Sequence, residues 1–198
     1  MRGEGESQLG LWGGAASGKT HLLNASADFA RRQGVRMQLY DGLQLRDCAA
    51  DEFDGYADCD LLAIDNLDAI AGLGDWEACF YDVINRCREG EFRLLYSLAR
   101  RPEELPTRLD DFRSRLQWGL LLQLPQSGDE EIRQILRRRA QLLGFELSDE
   151  VLNYLMNHHV RDLGAQIAIL QRLDGVSLSQ QRRVTIPLVK QALSEGFD

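Results

Sequence analysis

The chain has 198 residues, 44% of them apolar and 27% charged, enough for one sizeable core with an appendage or for two small domains, and a composition that argues against disorder. Its net charge of −8, with 14 basic and 21 acidic residues over Met1–Pro125 and nine and ten over Gln126–Asp198, excludes a basic nucleic-acid footprint in either part. The start is polar and glycine-rich without an apolar signal core, and no stretch approaches the roughly 18 apolar residues of a membrane span, so a cytoplasmic protein without membrane contact is expected.

Leu9-Gly10-Leu11-Trp12 is a short apolar run that ends in glycines, and Leu22, Leu23, Ala25, Phe29 and Ala30 follow at helical spacing up to Gly34. That predicts strand, loop, helix. Val35, Met37 and Leu39 alternate with polar residues before Asp41-Gly42, a strand and a turn. Positions 41–58 are polar and ambiguous. Leu61-Leu62-Ala63-Ile64, closed by Asp65, suits a strand buried on both faces of a parallel sheet. Asp75 precedes a helix with Trp76, Phe80, Val83, Ile84 and Cys87 inward, and Phe92–Ser97 and Leu120–Leu124 read as two more strands around the segment Pro102–Trp118. Five strands interleaved with helices predict an α/β sheet.

Strand signals stop at Leu124-Pro125-Gln126, which sets the expected boundary between an α/β domain over 1–125 and a helical domain over 126–198. Ser127-x-x-Glu130 is a capping-box pattern ahead of Ile132, Ile135 and Leu136. Ser148 opens a second helix with Val151, Leu152 and Leu155, Arg161–Leu173 makes a third, and Pro187 in a first turn starts a fourth through Leu193. Cys48, Cys59, Cys79 and Cys87 lack metal-site spacing and are expected as reduced thiols. Arg137-Arg138-Arg139 is expected on a solvated helix face, and Trp12, Trp76 and Trp118 are expected to pack.

Gly13-x-x-x-x-Gly18-Lys19-Thr20 lies between the first strand and the first helix, the context that gives this phosphate motif its meaning. Gly13, Gly14, Ser17 and Gly18 let backbone N–H groups converge on phosphate oxygens, Lys19 adds a cation, and the Thr20 hydroxyl can ligate Mg²⁺. Asp65, at the end of a neighbouring buried strand, is the expected second metal ligand. Asn66 follows where such ATPases often carry an acid that polarises water; an amide accepts no proton, so intrinsic hydrolysis should be weak or absent. Asp68 is a lesser candidate for that part.

Asp65-Asn66-Leu67-Asp68-Ala69-Ile70-Ala71-Gly72, running into Trp76-Glu77 and Phe80-Tyr81-Asp82-Val83-Ile84-Asn85-Arg86, resembles the AAA+ module of the DnaA replication initiators, and within that family their shortened regulatory relatives of the Hda type. Ser114-Arg115-Leu116-Gln117-Trp118-Gly119 is similar to box VII, Val160-Arg161-Asp162-Leu163 to sensor 2, and Thr185-Ile186-Pro187-Leu188-Val189-Lys190 to the closing helix of the lid. The resemblance implies a P-loop NTPase sheet of five parallel strands flanked by helices, followed by a small all-α lid. It implies Arg115 as an arginine finger supplied in trans and Arg161 as a contact to the chain's own nucleotide. Sensor 1 is reduced to Ser97, since the motif here reads Ser97-Leu98-Ala99.

By this resemblance the chain is expected to be a regulator of replication initiation that holds ADP or ATP with Mg²⁺, ADP foremost, and promotes ATP hydrolysis by a DnaA-type initiator, so limiting re-initiation. Homo-oligomers are compatible with this. Sequence-specific duplex binding is not expected, because the 198 residues end after the lid. Family members also dock on the DNA-loaded sliding clamp through an N-terminal peptide that is not visible here. Only Met1–Gln8 precede the first strand, so either the chain is N-terminally short or this member does without clamp docking. Two alternatives are an autonomous ATPase such as a helicase loader, and an interaction module that nucleotide merely stabilises.

Overall fold

The computed structural model describes residues 5–126, 128–158, 166–173 and 184–194. The chain divides into two compact units, Met1–Pro125 and Gln126–Asp198. In the first, the elements run β1 (Gln8–Trp12), α1 (Lys19–Arg32), β2 (Met37–Asp41), α2 (Gly42–Leu45), β3 (Leu61–Asp65), α3 (Gly74–Glu89), β4 (Arg93–Leu98), α4 (Asp110–Leu116) and β5 (Leu120–Gln123). All strand pairs are parallel, in the order β2-β3-β4-β1-β5. The second strand starts two residues later than its alternation indicates, and the ambiguous region after it holds the single turn of α2. The segment 102–118 contributes α4.

Side-chain alternation divides the core between the two faces of the sheet. Leu62, Ile64, Leu94, Tyr96 and Leu98 pack with Phe80, Val83, Ile84 and Cys87 of α3 and with Phe112 and Leu116 of α4. Ala63, Leu95 and Leu11 turn the other way, toward Leu23 of α1. The buried positions of α3 recur at helical spacing, as its sequence indicates, and one of them carries a charge: Glu77 is fully buried. A buried carboxylate needs partners, and Glu77 has them in the backbone. It accepts the N–H of Gly72 at 2.6 Å, of Arg108 at 2.9 Å and of Leu109 at 2.7 Å. Those bonds tie the loop beyond β3 to the residues that enter α4.

The second unit comprises α5 (Asp129–Leu142), α6 (Asp149–His158), α7 over residues 166–173 and α8 (Ile186–Ser194). Ile132, Leu136 and Ala140 pack with Leu152, Leu155, Leu170, Leu173 and Val189 around one core. Ser127 lies outside the described residues; α5 starts at Asp129, and the Glu131 carboxylate accepts the Gly128 N–H at 3.0 Å. Arg137 pairs with Asp149 across the surface. All four cysteines are free, and burial together with Asp82 pushes the Cys79 thiol up to about 11. No described helix is long and apolar enough to cross a membrane.

Candidate functional site

In a parallel sheet every strand ends on the same edge, and here that edge gathers the phosphate motif with three carboxylates. The loop leaves β1 at Gly13, whose N–H donates to Leu98 O at 3.2 Å at the end of β4. A Cβ on Gly13 would lie 2.6 Å from Leu124 O and 2.9 Å from Ser17 Oγ, so only glycine fits. Gly18 turns the chain into α1 with φ of 88°, a left-handed conformation that costs glycine little. The N–H groups of 14–18 line the turn between β1 and α1. They are the donors this loop can offer to phosphate oxygens, at the positive end of α1.

Lys19 Nζ folds back over the loop, donating to Gly13 O at 2.7 Å, Gly14 O at 2.9 Å and Ser17 Oγ at 3.3 Å. Burial lowers its pKa, and the charges of Asp65 and Asp68 partly oppose that. Thr20 Oγ1 donates to Asp65 Oδ2 at 2.5 Å. A hydroxyl and a carboxylate in contact, with Asp65 only 6% exposed, form an oxygen donor set that suits a hard cation such as Mg²⁺, which would neutralise phosphate charge.

The neighbours of Asp65 are arranged differently from a simple strand end. Ser97 is fully buried, donates its hydroxyl to Asp65 Oδ1 and accepts the Asn66 N–H at 2.9 Å. Its side-chain contacts are thus with Asp65 and the Asn66 backbone. Asn66 has φ of 51°, and its amide turns aside to donate to Asp41 Oδ1 at 3.0 Å. Asp41 also caps α2 by accepting the Leu43 N–H at 3.0 Å. Asp68 Oδ1 accepts the N–H of Ala99 at 3.0 Å, just beyond β4.

Arg115 occupies the opposite edge of the sheet. It stands at the end of α4, and β5 then enters the sheet with Leu120 beside Leu9, at the beginning of β1. The five residues of β1 separate that edge from the phosphate loop by roughly 13 Å. The buried Gln8 donates Nε2 to Arg115 O at 3.0 Å, and the Tyr96 hydroxyl donates to Leu116 O. Desolvation raises the pKa of Tyr96 and keeps it a donor. The Arg115 guanidinium lies 3.6 Å over the Trp118 ring and donates to Tyr81 Oη at 2.9 Å. Arg88 also lies over Trp118, at 3.7 Å, and the indole stays 43% exposed.

The structure therefore brings Gly13, Gly14, Ser17, Gly18, Lys19, Thr20, Asp65 and Ser97 together, with Asn66 turned away and Arg115 apart. Arg161 lies outside the described residues. Sequence reasoning passed over Asp41, which looked like a turn residue, and the Tyr81 and Trp118 supports of Arg115. For Trp118 its place three residues after Arg115 was the available signal, and for Tyr81, brought near only by the fold, there was none.

Residues 4–123 match the model of the bacterial DnaA ATPase domain, and residues 129–193 match that of the Hda lid domain. Domain III of the Thermotoga maritima replication initiation protein DnaA is similar in structure, with TM-score 0.80 and 20% identity over 96% of this chain and 84% of that one. AMPPCP-bound DnaA from Aquifex aeolicus gives 0.69 and 20% over 86% of this chain and 55% of that one. The Thermotoga maritima Holliday junction branch migration motor RuvB gives 0.60 and 18% over 94% and 61%. The chain thus spans little more than half of the longer initiator and motor chains it matches. At such identities the likeness of structure is one of fold, an AAA+ sheet followed by helices. The family models reach further, and on them the chain belongs to the bacterial DnaA ATPase-domain family, with a second unit of the Hda lid kind.

Proposed function

We propose that this protein is an Hda-like regulator of replication initiation, which holds an adenine nucleotide in its own P-loop and supplies Arg115 to ATP bound by a DnaA-type initiator. One observation carries the reading: Arg115 is braced at the sheet edge opposite the chain's own phosphate loop. A cation so placed serves a neighbour's nucleotide. In trans it would stabilise charge on the transferring phosphoryl group.

The home site supports the same division of labour. Asn66 is committed to Asp41 and Ser97 to Asp65, so neither amide nor hydroxyl is free to order an attacking water. Thr20 and Asp65 would hold the Mg²⁺. The test preloads a DnaA-type initiator with labelled ATP and follows its hydrolysis with wild-type chain or Arg115→Ala. Stimulation should fall on the order of 10³-fold in the variant; equal stimulation by both removes the finger assignment.

A further inference from the structure

α3 and the end of α4 interleave four side chains. Tyr81 and Arg88 stand seven residues apart on one face of α3, and Arg115 and Trp118 stand three apart where α4 ends. The Arg115 guanidinium lies 4.7 Å from the centre of the Tyr81 ring and 3.6 Å from that of Trp118, and Arg88 lies 3.7 Å from the same indole. Two guanidiniums so close to one ring have no room side by side, so they take its opposite faces. Among the described residues neither has a carboxylate within ion-pairing reach. The face of the indole is what holds the Arg88 head group in place.

We infer that Arg88 is a positioning residue for Arg115, clamping the half-exposed Trp118 from behind so that the indole cannot turn away from the guanidinium stacked on it. A ring held on one face only keeps rotamer freedom, and a planar cation on the second face removes it. The attraction of one exposed cation to a ring is small. It nevertheless sets how often Arg115 occupies the geometry that a transferring phosphoryl group requires, where small displacements cost rate. Arg88 acts through the ring and needs no contact of its own with the partner.

The inference rests on the reading of Arg115 as a finger for the partner's ATP, and two measurements keep the two apart. On the chain alone, the ring current of Trp118 should displace the Arg115 Nε–H resonance upfield, and Arg88→Gln should move it back toward the position it takes in Trp118→Leu. In single-turnover hydrolysis by an ATP-loaded DnaA-type initiator, Arg88→Gln should lower the maximal stimulation about two- to fivefold, with the half-maximal chain concentration and the ADP affinity within about twofold of wild type. Arg88→Lys, which has the charge without the planar face, should restore little of it. In a Trp118→Leu background Arg88→Gln should have no further effect. An equal effect in both backgrounds, or a raised half-maximal concentration with the maximum kept, overturns the inference and makes Arg88 a direct contact to the partner. An Arg115 resonance that Arg88→Gln leaves in place overturns it as well. Retained stimulation by Arg115→Ala removes the finger reading instead, and the resonance still decides whether Arg88 braces the stack.

Discussion

The two edges of the sheet in the first unit solve opposite problems with similar amounts of polar chemistry. At the carboxyl edge, charged groups turn on one another and on the backbone: Lys19 on Gly13 and Gly14, Thr20 and Ser97 on Asp65, Asn66 on Asp41. At the amino edge, Arg115 is anchored through its carbonyl by Gln8 while its guanidinium rests on Trp118 and Tyr81, without a carboxylate partner among the described residues. The first arrangement suits a charged ligand; the second leaves a guanidinium 3.6 Å over a half-exposed indole. On the proposed function, nucleotide binding and stimulation of a partner's hydrolysis should therefore be separable by mutation within residues 1–125.

Glu77 tests whether the two edges are mechanically joined, since it links Gly72 beyond β3 to Arg108 and Leu109 before α4. Glu77→Ala leaves three part-buried N–H groups without their acceptor and should cost about 2 kcal/mol of stability. Urea unfolding followed by tryptophan fluorescence reads it, because Trp12, Trp76 and Trp118 all lie in this unit. A loss below about 1 kcal/mol would show that the loops hold their positions without it.

The carboxyl edge is sharpened by pH. The pKa of Lys19 is lowered from 10.5 by burial, so the unfolded chain holds this proton more tightly than the free folded protein. Stability penalised by the buried charge is therefore regained as pH rises through the lowered value. Phosphate binding needs the charged amine and runs the other way: ADP affinity should begin to fall below pH 10.5, and Lys19→Arg should flatten that fall. Calorimetry across the alkaline range checks both, and a pH-independent affinity for wild type speaks against Lys19 as the phosphate cation.

The amino edge should show the smallest effect. Trp118→Leu removes the ring under Arg115, a contact of about 0.5–1 kcal/mol at an exposed site. Stimulation of the initiator should drop about two- to fivefold, with Trp118→Phe retaining more and ADP affinity unchanged. A shift in ADP affinity would mean that the two edges are not separable.

Much of this was legible in the residues themselves. Leu61–Ile64 and Phe92–Ser97 are largely apolar runs, which suits strands buried on both faces, and the spacing of Trp76, Phe80, Val83 and Ile84 fixes one face of α3. The Gly13–Thr20 spacing locates the loop. Short α2 and α4 have too few turns to show a period, and although Glu77 falls on the same helical face as Phe80 and Ile84, a glutamate on a helix ordinarily faces water. Its partners at 72, 108 and 109 are loop groups brought near only by the tertiary fold. The turn of Asn66 toward Asp41 depends in the same way on β2 lying beside β3.

The most direct measurement is single-turnover hydrolysis of ATP preloaded on a DnaA-type initiator, with the ADP affinity of each variant determined on the same preparation. Arg115→Ala should bind ADP as wild type does and lose the stimulation. Retained stimulation with Arg115 removed, or loss of ADP binding together with it, would contradict the separation of the two edges.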